Sequence, residues 1–125
     1  MALAKEIMGG GFSAGQAIAL GGGSASVAAT GSVQGDAALI GASSVIVTAA
    51  DGTKGVILPA AQPGDEVDIF NNAALTLKVY PPSGAAIAVN GTGLGSANAS
   101  FAHLTFKAAT YKCQSATQWF VNVSA

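Results

Sequence analysis

From Asp36 onward, short runs rich in β-branched residues alternate with turn residues about every ten positions, and this rhythm restricts the fold more than any other feature. Such runs read as strands, because branched side chains suit a pleated, half-buried surface. Ser43-Ser44-Val45-Ile46-Val47-Thr48 is the first clear run, followed by an Asp51-Gly52 turn. Lys54-Gly55-Val56-Ile57-Leu58 stops at Pro59, and Pro63-Gly64 marks the next reversal. Glu66-Val67-Asp68-Ile69-Phe70-Asn71 and Leu75-Thr76-Leu77-Lys78-Val79-Tyr80 alternate polar and apolar, predicting Val67 and Ile69, then Leu75, Leu77 and Val79, on the buried face. Ala86-Ile87-Ala88-Val89 precedes Asn90-Gly91, a tight-turn pair. Runs around Phe101–Phe106, Thr110–Gln114 and Gln118–Val123 complete eight or nine strands. The pattern predicts an all-β fold, a small antiparallel β-sandwich or barrel of jelly-roll-like form.

Residues 1–35 have a different texture and predict a separate segment, an extended Gly/Ala-rich N-terminal arm ahead of a β-domain spanning 36–125. Ordering backbone costs about 1–2 kcal/mol per residue, with glycine at the costly end. An arm with few large side chains is therefore expected to gain shape by docking on a partner. Ile7, Phe12, Ile18 and Leu20 are its expected anchors, and Ala2–Met8 is at most a marginal short helix. Glycine interrupts every apolar stretch here, which argues against both a membrane span and a secretory leader. The chain is expected to be made in the cytosol, where one thiol stays reduced.

Charge narrows the partners. Only 9% of residues are charged, no Arg occurs, and no charged residue lies between Glu6 and Asp36. A nucleic-acid surface needs clustered basic residues to displace counterions, so none is expected. Such sparse charge on a domain rich in apolar residues points to a surface partly covered by neighbouring subunits.

Catalytic chemistry needs a nucleophile, a tuned acid or base, a metal or a cofactor cradle. Asp65, Glu66 and Asp68 are the one acidic cluster, and a solvated strand face explains them better than a cation site. His103 lacks an orienting acid in any motif. Cys113 is the sole cysteine and reads as a small buried hydrophobe. Gly91-Thr92-Gly93-Leu94-Gly95 lacks the strand-turn-helix setting of a phosphate loop. No catalytic residue, metal or cofactor is expected. Trp119 and Phe120, on opposite faces of the last strand, suggest burial on both faces, either inside one sandwich or with one face in the core and the other against a neighbour, and both residues are candidate capsid or subunit contacts.

The stretch Leu58-Pro59-Ala60-Ala61-Gln62-Pro63-Gly64-Asp65-Glu66-Val67-Asp68-Ile69-Phe70-Asn71, then Leu77-Lys78-Val79-Tyr80-Pro81-Pro82-Ser83-Gly84-Ala85-Ala86-Ile87 and Tyr111-Lys112-Cys113-Gln114-Ser115-Ala116-Thr117-Gln118-Trp119-Phe120, resembles small β-rich structural proteins of tailed bacteriophages. The likeness covers about residues 36–125 and leaves out the arm. It implies a non-enzymatic virion protein, most like a capsid decoration (cement) protein, trimeric and bound to the major capsid protein at the capsid surface. Head- or tail-fibre and receptor-binding modules are the alternative, for which Tyr80, Tyr111 and Trp119 are the candidate ligand-facing aromatics.

Overall fold

A computed structural model describes residues 24–60, 62–89 and 93–124. Ten strands are found among these residues: β1 (Ser24–Ala28), β2 (Ala38–Leu39), β3 (Ser44–Ala49), β4 (Gly55–Ile57), β5 (Glu66–Asn71), β6 (Leu77–Tyr80), β7 (Ala86–Val89), β8 (Phe101–His103), β9 (Ala108–Ser115) and β10 (Gln118–Val123). The fold is all-β, with a single 3-10 turn at Gln34–Asp36 as its helical element among the described residues. No helix there is long and apolar enough to cross a membrane.

The strands form two sheets, ordered β1-β3-β5-β9-β10-β7 and β2-β4-β6-β8. Through β8 the chain changes sheet after every strand. Neighbours within a sheet are therefore two strands apart in sequence and run the same way: β1 with β3, β3 with β5, β2 with β4 and β4 with β6. Ser44 accordingly has Ser24 on one side and Asp68 on the other. Antiparallel pairing enters with β8 on β6, and with β9 on β5 and β10. β7 then joins β10 in parallel. The sheets are thus mixed, which corrects the expectation of an antiparallel architecture. The physical reason lies in the turns. Asp65 donates its N–H to the Gln62 carbonyl at 3.1 Å, and Gly64 holds φ +96°, which together make a type II turn. Ala85 and Gly84 repeat the arrangement after Pro82, at 2.9 Å and φ +84°. These turns pass the chain to the other sheet instead of folding it back on the strand just completed.

The alternation of side chains follows the sequence. β3 buries Val45 and Val47, β5 Val67 and Ile69, β9 Ala109, Tyr111 and Cys113, and β10 Trp119 and Val121. They share one apolar cluster with Ile40, Val56, Leu58, Leu77, Val79 and Ile87, which draws on both sheets. Fully burying one such aliphatic side chain contributes about 1.5–3 kcal/mol. Leu75 departs from expectation. It is 51% exposed, because β6 begins only at Leu77 and the preceding residues form a loop.

The boundary expected at Asp36 is also corrected. β1 pairs along β3, and the segment after it closes over the four-stranded sheet. Thr30 bridges Gly55, the Tyr80 hydroxyl donates to the Ser32 carbonyl at 3.2 Å, and the Gln34 side-chain amide donates to the Pro81 carbonyl at 2.8 Å. Residues 24–35 therefore belong to the β-domain. Glycine composition hid this, since backbone pairing and one tyrosine hold the segment without large side chains of its own. The remaining arm, with Ile7, Phe12, Ile18 and Leu20, lies outside the described residues, as does the Asn90-Gly91 turn.

Gly55 shows how close this packing is. A Cβ there would stand 2.8 Å from the Tyr80 ring and 2.9 Å from the Lys78 carbonyl oxygen. Gly55→Ala is expected to cost about 1–3 kcal/mol, the usual penalty of overpacking. Gly41→Ala, with open space around it, is expected to change stability by less than about 1 kcal/mol. Urea unfolding midpoints of the two variants check the contrast.

Candidate functional site

The residues with chemical potential are placed in structural roles. His103 is fully buried between Tyr111 and Lys107. A carbonyl can only accept, so Nε2 carries the proton and donates to the Lys107 carbonyl at 2.6 Å. Nδ1 of the neutral ring is then the acceptor for the Tyr111 hydroxyl at 2.8 Å. Burial lowers the His103 pKa, against a smaller opposing effect of the Lys107 carbonyl, and burial raises that of Tyr111 well above its ordinary value. Phe101 meets both rings edge-on, with centroids 6.4 Å from His103 and 6.2 Å from Tyr111.

Asn71 completes this buried group. Its amide nitrogen donates to the Leu75 and His103 carbonyls at 3.0 and 3.1 Å, and its oxygen accepts the Ala73 N–H at 3.0 Å. The Asn71 backbone N–H shares the Lys107 carbonyl with His103. The Thr105 hydroxyl donates to the Ala73 carbonyl. Among the described residues no buried side-chain polar atom lacks a partner. The group ties the end of β5 and the start of β9 to β8, and so joins the two sheets. Asn71 ends the alternating run of β5, and nothing local to it signals the partnership with His103.

The acidic cluster is dispersed. The Asp65 carboxylate accepts the Gln62 N–H at 3.0 Å within the turn. Glu66 pairs with Lys112 at 3.8 Å, and Asp68 accepts the Thr110 hydroxyl at 2.7 Å. No group of three or more metal-ligating side chains occurs among the described residues. Cys113 is buried and donates to the Ser115 carbonyl at 3.2 Å. Burial, with the Asp65 charge, raises its pKa away from thiolate chemistry.

The outer face of the six-stranded sheet is the candidate site. One lateral row carries Ser26, Ile46, Phe70 and Ala108 across β1, β3, β5 and β9. A second carries Ser44, Asp68, Thr110 and Asn122, and a third Glu66, Lys112 and Phe120. Ile46 is 46% exposed and Phe120 40%. Two shallow depressions, of about 670 and 400 Å³, lie on this face and share Thr110 and Asn122. Leu94 reaches the larger one, held where its carbonyl accepts the Gln118 side-chain amide at 3.0 Å. The face is broad and open, with Glu66 and Lys112 offsetting each other and Asp68, which accepts the Thr110 hydroxyl, leaving one negative charge.

Phe120 thus stands on an exposed face, as a contact residue must. Trp119 does not: it is 1% exposed, within the core, so its place among the expected contacts is corrected. β10 is interior to its sheet, between β9 and β7, and the parity that exposes Phe120 necessarily buries Trp119 and Val121. Tyr80 and Tyr111 are buried as well, which leaves none of the three aromatics expected of a receptor-binding module facing solvent.

The buried neutral histidine sets a pH dependence. An unfolded chain takes up a proton on His103 below about pH 6.5, whereas the folded chain resists it until lower pH. Stability from this group is fully present above pH 6.5 and is lost as pH falls from there through the lowered folded-state value. The urea midpoint is expected to decline between pH 6.5 and 5, before most carboxylates titrate, and a flat midpoint across that interval would contradict the assignment.

No family model, curated protein or solved structure matches the chain.

Proposed function

We propose that this chain is a non-enzymatic structural protein of a phage virion. It decorates and stabilises the capsid as a homotrimer, through contacts with the major capsid protein, and its two sheets make a jelly-roll-like sandwich. The observation that carries the reading is the outer face of the six-stranded sheet. Its apolar side chains Ile46, Phe70 and Phe120 are exposed or half-buried on a nearly flat surface, with one ion pair across it. Ile46 and Phe70 adjoin in one row and Phe120 stands two rows away, so the face presents exposed apolar side chains among polar ones, a composition that suits a protein contact. The shallow depressions suit a broad protein contact better than a small ligand, which an enclosing cleft would hold. The resemblance in Leu58–Asn71 and Tyr111–Phe120 supplies the capsid context.

In this reading the face buries against neighbouring subunits. Ile46 and Phe120 would each contribute about 1.5–3 kcal/mol on full burial. Association costs offset much of that, so three chains binding together matter more than any one contact. The arm, with Ile7, Phe12, Ile18 and Leu20 as anchors, reaches the shell.

Native mass measurement of the full chain is expected to give a three-chain species. Ile46→Asp combined with Phe120→Asp is expected to weaken it by about 100-fold or more while leaving the far-ultraviolet dichroism unchanged. A monomer at all concentrations, or a trimer indifferent to the double substitution, would reject the face as the contact.

Deleting residues 1–23 is expected to leave a folded trimer that no longer occupies capsids. Virion imaging at subunit resolution checks this, with density for the full chain expected at three-fold positions of the outer shell. Equal occupancy by the truncated chain would remove the arm from the mechanism.

A further inference from the structure

Both edges of the six-stranded sheet are visible, and they differ. β7 is sealed by its own following loop. Asn98 donates its N–H to the Ala85 carbonyl at 2.8 Å, its side-chain oxygen accepts the Gly84 N–H at 2.6 Å, and Gly95 lies so close to the Ile87 carbonyl that a Cβ would collide with it. β1 has β3 on one side and, among the described residues, nothing on the other. The four-stranded sheet ends in β2 and β8, which are two and three residues long. β1, with five residues, is the longest open edge among the described residues.

Proteins blunt such an edge with lysine, proline, an inward charge or a covering segment. β1 reads Ser24-Ala25-Ser26-Val27-Ala28 and has no proline and no charge. A register shift between Val27 and Ala28 leaves Ser24–Val27 as a regular edge. The Val27 carbonyl is on the β3 side, where it accepts the Thr48 hydroxyl at 3.4 Å. The alternation of a parallel ladder then turns the Ser26 N–H and C=O outward, to the free side.

We propose that the β1 edge pairs antiparallel with the β1 edge of a second copy of this chain across a two-fold axis. A two-fold contact brings each surface against itself, so any charge on it meets its own like. β1 satisfies that condition, since the sequence has no charge from Ile7 through Gly35. Ser24, Ala25 and Ser26 are small and exposed, and let two backbones approach to hydrogen-bonding distance. Ala25 then lies opposite the partner's Ala25 on the axis, and Ser24 opposite the partner's Ser26, whose outward N–H and C=O groups it meets. The pairing joins two six-stranded sheets into one and closes the longest edge open among the described residues.

The inference rests on the reading of the chain as an assembling subunit and adds to it. Trimers at three-fold positions of a shell face one another across two-folds, and the β1 pair is the strut between them. Backbone hydrogen bonds supply the contact, as in other additions of a strand to a sheet edge.

Sedimentation and native mass measurement of the full chain over micromolar to submillimolar concentrations test this, together with amide exchange in β1. A six-chain species in exchange with the three-chain one is expected, with β1 amides slowing as it forms. Ala25→Lys and Ala25→Glu each place like charges at the two-fold, with the new side chain on the face opposite Ile46 and Phe120. Each is expected to lower the edge-linked population about tenfold or more, with the three-chain species and the urea midpoint retained. A two-chain species with the same sensitivity, and no trimer, would support the edge pair and reject the trimer. Three-chain species alone, with β1 amides exchanging at one rate throughout and unchanged by Ala25→Lys, would overturn the edge pair and leave the trimer standing. A monomer at every concentration would overturn both.

Discussion

Every strand through β8 takes its hydrogen-bond partners from another turn of the chain, and the rest of the structure depends on this. β3 pairs with β1 before it and β5 after it, while the strands between them, β2 and β4, build the other sheet. A strand in such a coil has no local hairpin partner, so its backbone groups are satisfied only when neighbouring turns are in place. The short strands and small side chains of this chain are workable for that reason. No single element carries stability, and the shared cluster of Val45, Val56, Ile69, Val79 and Trp119 forms only when both sheets are present. Long-range pairing of this kind also slows folding, because loop closure precedes the contacts that reward it.

The Asn71–His103–Tyr111 group stands where parallel coiling gives way to antiparallel closure. β9 pairs with β5 on one sheet and β8 with β6 on the other, and the short connection between β8 and β9 must cross from one to the other. Its backbone is satisfied from within: Lys107 accepts from both Asn71 and His103, and the Phe106 N–H donates to the Asn71 carbonyl at 2.8 Å. Phe106 adopts φ +57° there, a left-handed conformation disfavoured for a bulky side chain, and it is 60% exposed. The hydrogen bonds around it hold the crossing in that shape. A buried polar group is costly when partly satisfied; here each side chain has its partner, which makes the crossing a fixed point of the fold.

Much of the local structure was legible in the sequence. Glu66–Asn71 is a strand as its alternation requires, Ala86–Val89 and Gln118–Val123 are strands as their apolar runs between turn residues indicate, and Gly64 and Gly84 hold the positive φ that Pro-Gly and Pro-x-Gly turns demand. Strand direction was not legible, because a period of two encodes which face is buried and not which neighbour is paired. A turn that reverses the chain and one that passes it to a facing sheet use the same Pro, Gly and Asp residues. Composition misled at residues 24–35, where backbone pairing and Tyr80 supply an order that small side chains do not advertise. It misled at Trp119 as well: a large aromatic beside another suggested two contact residues, while parity in β10 commits one to the core and leaves Phe120 outside.

Scarcity of charge links the surfaces of this protein. An exposed ion pair such as Glu66–Lys112 adds little stability, and with 9% charged residues there are few others to impose orientation on a partner. Electrostatic steering and like-charge exclusion, the usual sources of fast and selective docking, are weak on such a surface. Selectivity has to come from backbone geometry and shape, which a regular sheet face and a strand edge open among the described residues provide in fixed register. The same absence of charge that lets two copies meet edge to edge removes the normal defence against indiscriminate pairing. The register shift at Val27/Ala28 limits that exposure, since it shortens the regular edge to four residues and confines pairing to a length that only a second, stabilising contact can sustain.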